Sequence, residues 1–281
     1  MKKLIFLSFF IFILKAEAQQ SIILKSKFLP GYNYDLSIII KYTMKLDSTL
    51  NMPDEGDTEM PRIMASENDF DYTIKTGKIS KQKGTPLSLY YANIVSKRLI
   101  NGKEPTVKPK PNIWINQTVY GVYNDNGIFK LDSVNKKEVT EDTKNSITKF
   151  VNSLTGKINF PERRLKPGDS FVQNTPINVT AGSKPILVEF KVNYKLTDIK
   201  EDIAYFNYDE IPDTASPSFP KDSTLDPGAH GSGKLEYSIK YNYVTFNSSD
   251  LTYSYKIQTE AGPFHNTVKV SNYSRAKITA E

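Results

Sequence analysis

The chain has no cysteine, two histidines and one tryptophan in 281 residues. Without cysteine there can be no disulfide, no thiolate metal site, no thiol nucleophile and no lipid-modified N-terminal cysteine. The two histidines, His230 and His265, could hold a metal only with carboxylate help, and they are not spaced as a ligand pair. No metal and no cofactor is expected. Charge of one sign is not concentrated either. Thirty-seven Lys and Arg stand against 31 Asp and Glu, for a net charge of +6. The basic residues are spread along the chain, so there is no nucleic-acid footprint.

Long apolar runs are scarce. LIFLSFFIFIL at 4–14 is shorter than the about 20 residues that cross a bilayer as a helix. It follows Lys2 and Lys3 and precedes the small-x-small pattern Ala16-Glu17-Ala18, the layout of a secretory signal cut before Gln19. The expectation is a signal peptide at 1–18 and a single domain at 19–281, exported to the periplasm, the outer membrane surface or the extracellular space. No later segment is apolar enough for a transmembrane helix.

What the chain does have is tyrosine and phenylalanine, 17 and 15 of them, placed with period two. In GYNYDLSIIIKYTMKL (31–46), Tyr32, Tyr34, Leu36, Ile38, Ile40, Tyr42, Met44 and Leu46 fall on one face. On the other face only Ile39 breaks a polar set. Side chains alternate across a strand, so this is a strand with one apolar face. Similar alternation marks strands at 70–75, 86–98, 186–196, 203–208, 235–243, 251–257 and 264–270. Asn124-Asp125-Asn126-Gly127 between 113–123 and 128–134 predicts a tight hairpin. Trp114 in that hairpin reads as a core anchor, with a ligand-stacking platform as the second reading. Residues 47–62 and 102–112 are polar and contain proline, so they read as connections. The acids of the first, Asp54, Glu55, Asp57 and Glu59, lack the spacing of a calcium loop. Residues 211–233, with four prolines, read as a long loop. The period changes once. In 140–156, Ile147, Phe150, Val151 and Leu154 lie at i, i+3, i+4 and i+7, one face of a helix over 141–154. Thr140 is its expected cap and Gly156 its expected exit.

The expected fold is therefore all-β, about eleven antiparallel strands with one amphipathic helix, curved into an open sheet or half-barrel. A β-sandwich is the alternative. An outer-membrane barrel would also use aromatic alternation, but the internal helix, the proline-rich stretches and the polar finish 276–281 speak against it.

No catalytic constellation emerges. Gly228-Ala-His-Gly-Ser-Gly233-Lys234 fits the spacing of a phosphate-binding loop, yet Leu235 follows the lysine where Ser or Thr should be. The flanks also lack the required strand and helix, so the stretch reads as a glycine turn entering a strand. No nucleophile elbow accompanies the histidines. The adjacent acids, such as Glu141/Asp142 and Glu201/Asp202, sit where turns and helix starts favour acids.

Four features together resemble an uncharacterised family of secreted proteins from Gram-negative bacteria. They are Leu29-Pro30-Gly31-Tyr32-Asn33-Tyr34, the helix 141–154, the stretch Phe160 to Phe171 including Leu165-Lys166-Pro167-Gly168-Asp169-Ser170-Phe171, and Gly231 to Tyr243. The resemblance implies no activity, cofactor or catalytic residue.

The functional expectation is a non-enzymatic exported envelope protein, binding an amphipathic, lipid-like guest in the curved sheet. A helix of about 14 residues is about 21 Å long, whereas eleven strands at about 4.8 Å extend about 50 Å. The helix alone thus leaves apolar surface uncovered. Leu36, Ile38, Ile40, Tyr42, Val188 and Phe190 are the candidate lining residues. The alternatives are a structural or protein-interaction module with an envelope partner, and a hydrolase.

Overall fold

The computed structural model describes residues 21–46, 63–79, 84–105, 115–124, 127–135, 139–154, 158–181, 184–213, 223–226, 228–259 and 262–281. The signal segment, Trp114, the acidic stretch 47–62 and Gly156 lie outside them.

Among the described residues, twelve strands form one antiparallel sheet. They are β1 (Tyr32–Leu46), β2 (Ile63–Thr76), β3 (Thr85–Ile100), β4 (Thr118–Tyr123), β5 (Phe129–Val134), β6 (Ser170–Ala181), β7 (Lys184–Lys200), β8 (Ile203–Pro212), β9 (Ser223–Leu225), β10 (His230–Ser238), β11 (Tyr243–Thr259) and β12 (Gly262–Ala280). Their spatial order is β5-β4-β3-β2-β1-β12-β11-β10-β8-β7-β6, and β9 pairs with β11 at Tyr255–Ile257, in line with β10. Neighbours in sequence are neighbours in space almost throughout. The one long-range junction joins the two ends of the chain, β1 to β12, from Tyr32↔Ala280 to Leu46↔Asn266. The described strands make one sheet and not a sandwich, and it is not closed: β5 and β6 are its edges.

The sheet curls strongly. Tyr123 on β4 and Tyr243 on β11 are five strand spacings apart, about 24 Å on a flat sheet. Yet the single ring of Phe28 lies 5.6 Å from one and 5.5 Å from the other. All buried clusters face the concave side. The first joins Tyr34, Leu36, Tyr72, Ile74, Leu89 and Val119 to the helix through Ile147 and Val151. The second lies under β7, β8 and β10, around Leu196, Phe206 and Leu235. The third lies at the other end of the strands, around Phe190, Tyr253 and Val268.

One end of the concave side is plugged by three pieces. Helix α1 (Glu141–Ser153) packs against β5. Its Asn152 carboxamide accepts from the Phe129 amide at 2.7 Å and donates to the Phe129 carbonyl at 3.4 Å, which pairs part of an exposed sheet edge. Phe150 lies against the rings of Tyr72 and Tyr91. Thr140 stands at the cap, but its hydroxyl pairs with that of Thr143 and makes no bond to the helix backbone. The second piece is the N-terminal strap 21–29, with Ile22, Leu24 and Phe28 buried. Tyr237 Oη accepts from the Lys25 amide and donates to the Lys25 carbonyl, and Tyr34 Oη accepts from the Leu29 amide. The third is 158–165, whose Leu165 exchanges two 2.8 Å backbone bonds with Ile22.

Several boundaries differ from the sequence reading. β12 runs to Ala280, so the polar finish is strand. β4 starts at Thr118, because Asn116 has φ 63°, a turn conformation. Residues 230–233 are strand and not loop, and no turn lies between Gly231 and Lys234.

Candidate functional site

Between the plugged end and the third cluster the concave face opens into a groove of about 690 Å³. That falls within the about 300–1,000 Å³ typical of small-molecule sites. Its apolar walls are Leu36 and Ile38 on β1, Ala276 on β12, Val192 and Tyr194 on β7, and Leu154 and Ile158 beside the helix exit. Its floor is polar: Asn272 and Ser274 on β12, Asn247 and Ser249 on β11, Tyr208 and Glu210 on β8, and Gln173 and Thr175 on β6.

Register puts the floor in rows. Ile40, Asn272, Ser249, Gly233, Tyr208 and Tyr194 align across β1, β12, β11, β10, β8 and β7. The next row toward the plug contains Ile38, Ser274, Asn247 and Leu235. On the other side Val270, Leu251, Gly231, Glu210 and Val192 align. The polar groups thus form a band at mid-height, with packed apolar clusters above and below.

Gly231 and Gly233 explain why the middle of the floor is low. A Cβ on Gly233 would stand 2.2 Å from Tyr208 Cζ and 2.5 Å from the Ser248 carbonyl oxygen. One on Gly231 would stand 2.9 Å from Leu251 Cδ1 and 3.0 Å from Glu210 Oε2. The glycines let the side chains of β8 lean across β10. Tyr208 Oη then donates to Asn247 Oδ1 at 2.8 Å and also lies 3.3 Å from the Ser248 carbonyl. Its hydroxyl is pushed up to about 12, chiefly by burial. Tyr194, stacked on Phe171 at 5.0 Å, is raised for the same reason. Burial also raises the Glu210 carboxyl above the usual carboxylate range. Among the described residues no cation lies within ion-pair distance of it. Asn272 Oδ1 is buried and has no hydrogen-bond partner among the described residues.

Of the expected lining residues, Leu36 and Ile38 line the groove. Ile40 sits half-buried in the row of Asn272. Tyr42 packs against the third cluster, and Val188 and Phe190, 2% and 0% exposed, lie inside it. That end of the concave face is filled by side chains. Tyr208 closes the strand read at 203–208, but sequence periodicity does not point to the floor residues Glu210, Asn247, Ser249, Asn272 and Ser274. A second, more open hollow of about 960 Å³ lies beyond Asn152 and Ile158, against Ile23, Ile128, Phe160 and Glu162.

His230 is exposed on β10 and His265 is half-buried on β12, and neither lines the groove. Among the described residues no group of His, Asp and Glu is placed to hold a metal. No family model matches the chain, and no curated protein matches it.

Proposed function

We propose that the protein is an exported, non-enzymatic envelope protein that holds an amphipathic, lipid-like guest in the groove of its half-barrel. The observation that carries this reading is the lining: apolar walls from β1, β7 and the helix exit over a polar floor from β8, β11 and β12. A purely structural sheet gains by filling such a face with apolar side chains, as the third cluster does. Here the floor positions on those three strands are Asn, Ser, Tyr or Glu instead, and two glycines keep the floor low. Export is supported by the N-terminal pattern of basic start, apolar run and small-x-small site.

The magnitudes fit a guest that needs both parts of the lining. Each buried methylene contributes about 0.8 kcal/mol, so eight or so contribute about 6 kcal/mol. Association costs about 4–15 kcal/mol in lost freedom, so the apolar walls alone give weak binding. Contacts to the polar band must add to them.

Blocking the groove tests the reading. Ser274→Phe places a ring in the groove between Ile38 and Asn247. Titration of a fluorescent alkyl-chain probe should saturate at one site in the parent and be weakened at least tenfold in the variant. The melting temperature should stay within about 4 °C, the shift expected for about 1 kcal/mol. Equal probe binding in a folded variant would refute the groove as the site.

A further inference from the structure

The sign of the floor is unbalanced in a way that bears on which guest it takes. Among the described residues, the only charged residues along it are Glu210 and Arg275, and no lysine is. Arg275 is exposed and aligns with Ser37 and Phe246, opposite in register to the floor residues Ser274 and Asn272. Glu210 aligns with Val192 and Gly231 and faces the groove, where Gly231 gives its carboxylate room. Asn272, on the other side of the glycine-floored β10, presents a buried carboxamide oxygen with no partner among the described residues. A buried acceptor left unpaired is disfavoured, and the half-buried Glu210 carboxylate has no cation beside it among the described residues. The hydroxyls of Tyr194, Ser249 and Ser274 can serve a donor or an acceptor, so they do not set the sign. The unpaired Asn272 oxygen calls for a hydrogen-bond donor, and the Glu210 carboxylate calls for a donor that carries positive charge.

Taking the groove as the binding site, as the proposed function does, we propose that Glu210 and Asn272 form a head-group subsite flanking the bare strand at Gly231 and Gly233. It takes amphiphiles whose polar end donates hydrogen bonds, protonated amines first and hydroxyls second, and it rejects phosphate and carboxylate ends. The rejection is electrostatic. An anion placed beside Glu210 adds a second negative charge in a partly desolvated site, and no facing cation among the described residues offsets it. The guest's alkyl portion lies against Leu36, Ile38, Val192 and Tyr194. This preference runs against the chain as a whole, whose net charge of +6 attracts anions at long range. Non-specific attraction therefore predicts the opposite order of affinities.

The test is a matched series sharing one alkyl chain: primary amine, alcohol, carboxylate and phosphate, each titrated below its micelle concentration into the full chain by calorimetry. The amine should bind at least tenfold more tightly than the carboxylate and the phosphate, with the alcohol between. Glu210→Gln should remove at least tenfold of the amine's affinity while leaving the alcohol within about threefold. Asn272→Leu should weaken amine and alcohol alike. Equal affinities across the series, or tighter binding of the anions, would overturn the donor-selective subsite and leave the groove itself intact. Failure of all four to bind would overturn both the subsite and the function on which it rests. The parent protein alone decides the order of the series, so a variant that fails to fold does not rescue the proposal.

Discussion

Gly233 shows most plainly how single residues shape the groove. It lies within β10, where glycine is intrinsically poor because it has no side chain to pack and loses most entropy on ordering. Its backbone is ordinary strand, so no special dihedral demands it. What demands it is the Tyr208 ring lying over its Cα, 2.2 Å from where a Cβ would be. Gly233→Ala should therefore destabilise the fold by about 1–3 kcal/mol through overpacking, read as a lower guanidinium midpoint. Gly228→Ala, whose nearest neighbour would be the flexible Asp226 carboxylate at 3.4 Å, should be close to neutral. Equal effects at both sites would contradict the packing explanation. Glu210 makes a second residue-scale prediction. Burial raises its carboxyl, so the folded state holds the proton more tightly than the unfolded chain does. The stability from this group is full below the ordinary glutamate value of about 4.3 and is lost as pH rises through the raised value. Glu210→Gln should then be more stable than the parent at neutral pH, with the gap closing as pH falls toward about 4. A gap that does not change with pH in denaturant titrations would show that the buried charge is not its source.

At the scale of elements, the sequence is most legible where one face is wholly apolar. The strand read at 31–46 matches β1, Tyr32–Leu46, to within a residue, and the helix over 141–154 matches α1, Glu141–Ser153. The 3.6-residue stripe of Ile147, Phe150, Val151 and Leu154 meets the sheet as a stripe must. Legibility fails along the same strands at the groove. The apolar alternation ends at Val270 on the last strand and begins only at Leu251 on the one before it. The inward positions just past Val270 are Asn272 and Ser274, and those just before Leu251 are Asn247 and Ser249. A polar residue on the buried face breaks the pattern by which a strand is recognised. The site therefore reads, in sequence, as missing strand. The same cause hides the start of β10: Gly231 and Gly233 look like a turn in sequence, and only their neighbours Glu210 and Tyr208 across the ladder explain them. The Pro-Gly pairs are simpler. Gly31 and Gly168 have φ of 76° and 99° in the turns that open β1 and β6, and their amides donate across to the Thr76 carbonyl on β2 and the Leu196 carbonyl on β7.

For the whole molecule, the junction of β1 with β12 ties the two ends of the chain together at mid-sheet, and the plug holds the curvature. The strap from Ile22 to Leu29 touches the second cluster through Ile22 and Leu24 and the first through Phe28, so it braces both halves of the half-barrel at one end. The other end is braced by Phe190, Tyr253 and Val268. The groove between them is the part of the concave face that neither brace fills. A sheet of this width could have been completed by more apolar side chains, and the polar band with its glycines is the feature on which the proposed guest-binding role rests. The measurement that tests this most directly is native mass spectrometry of the full chain purified without detergent, with solvent extraction of the same sample. A bound amphiphile at near-stoichiometric level, released by the solvent and absent from Ser274→Phe, is the predicted result. A bare protein mass from freshly isolated material, or an adduct that Ser274→Phe retains undiminished, would contradict it.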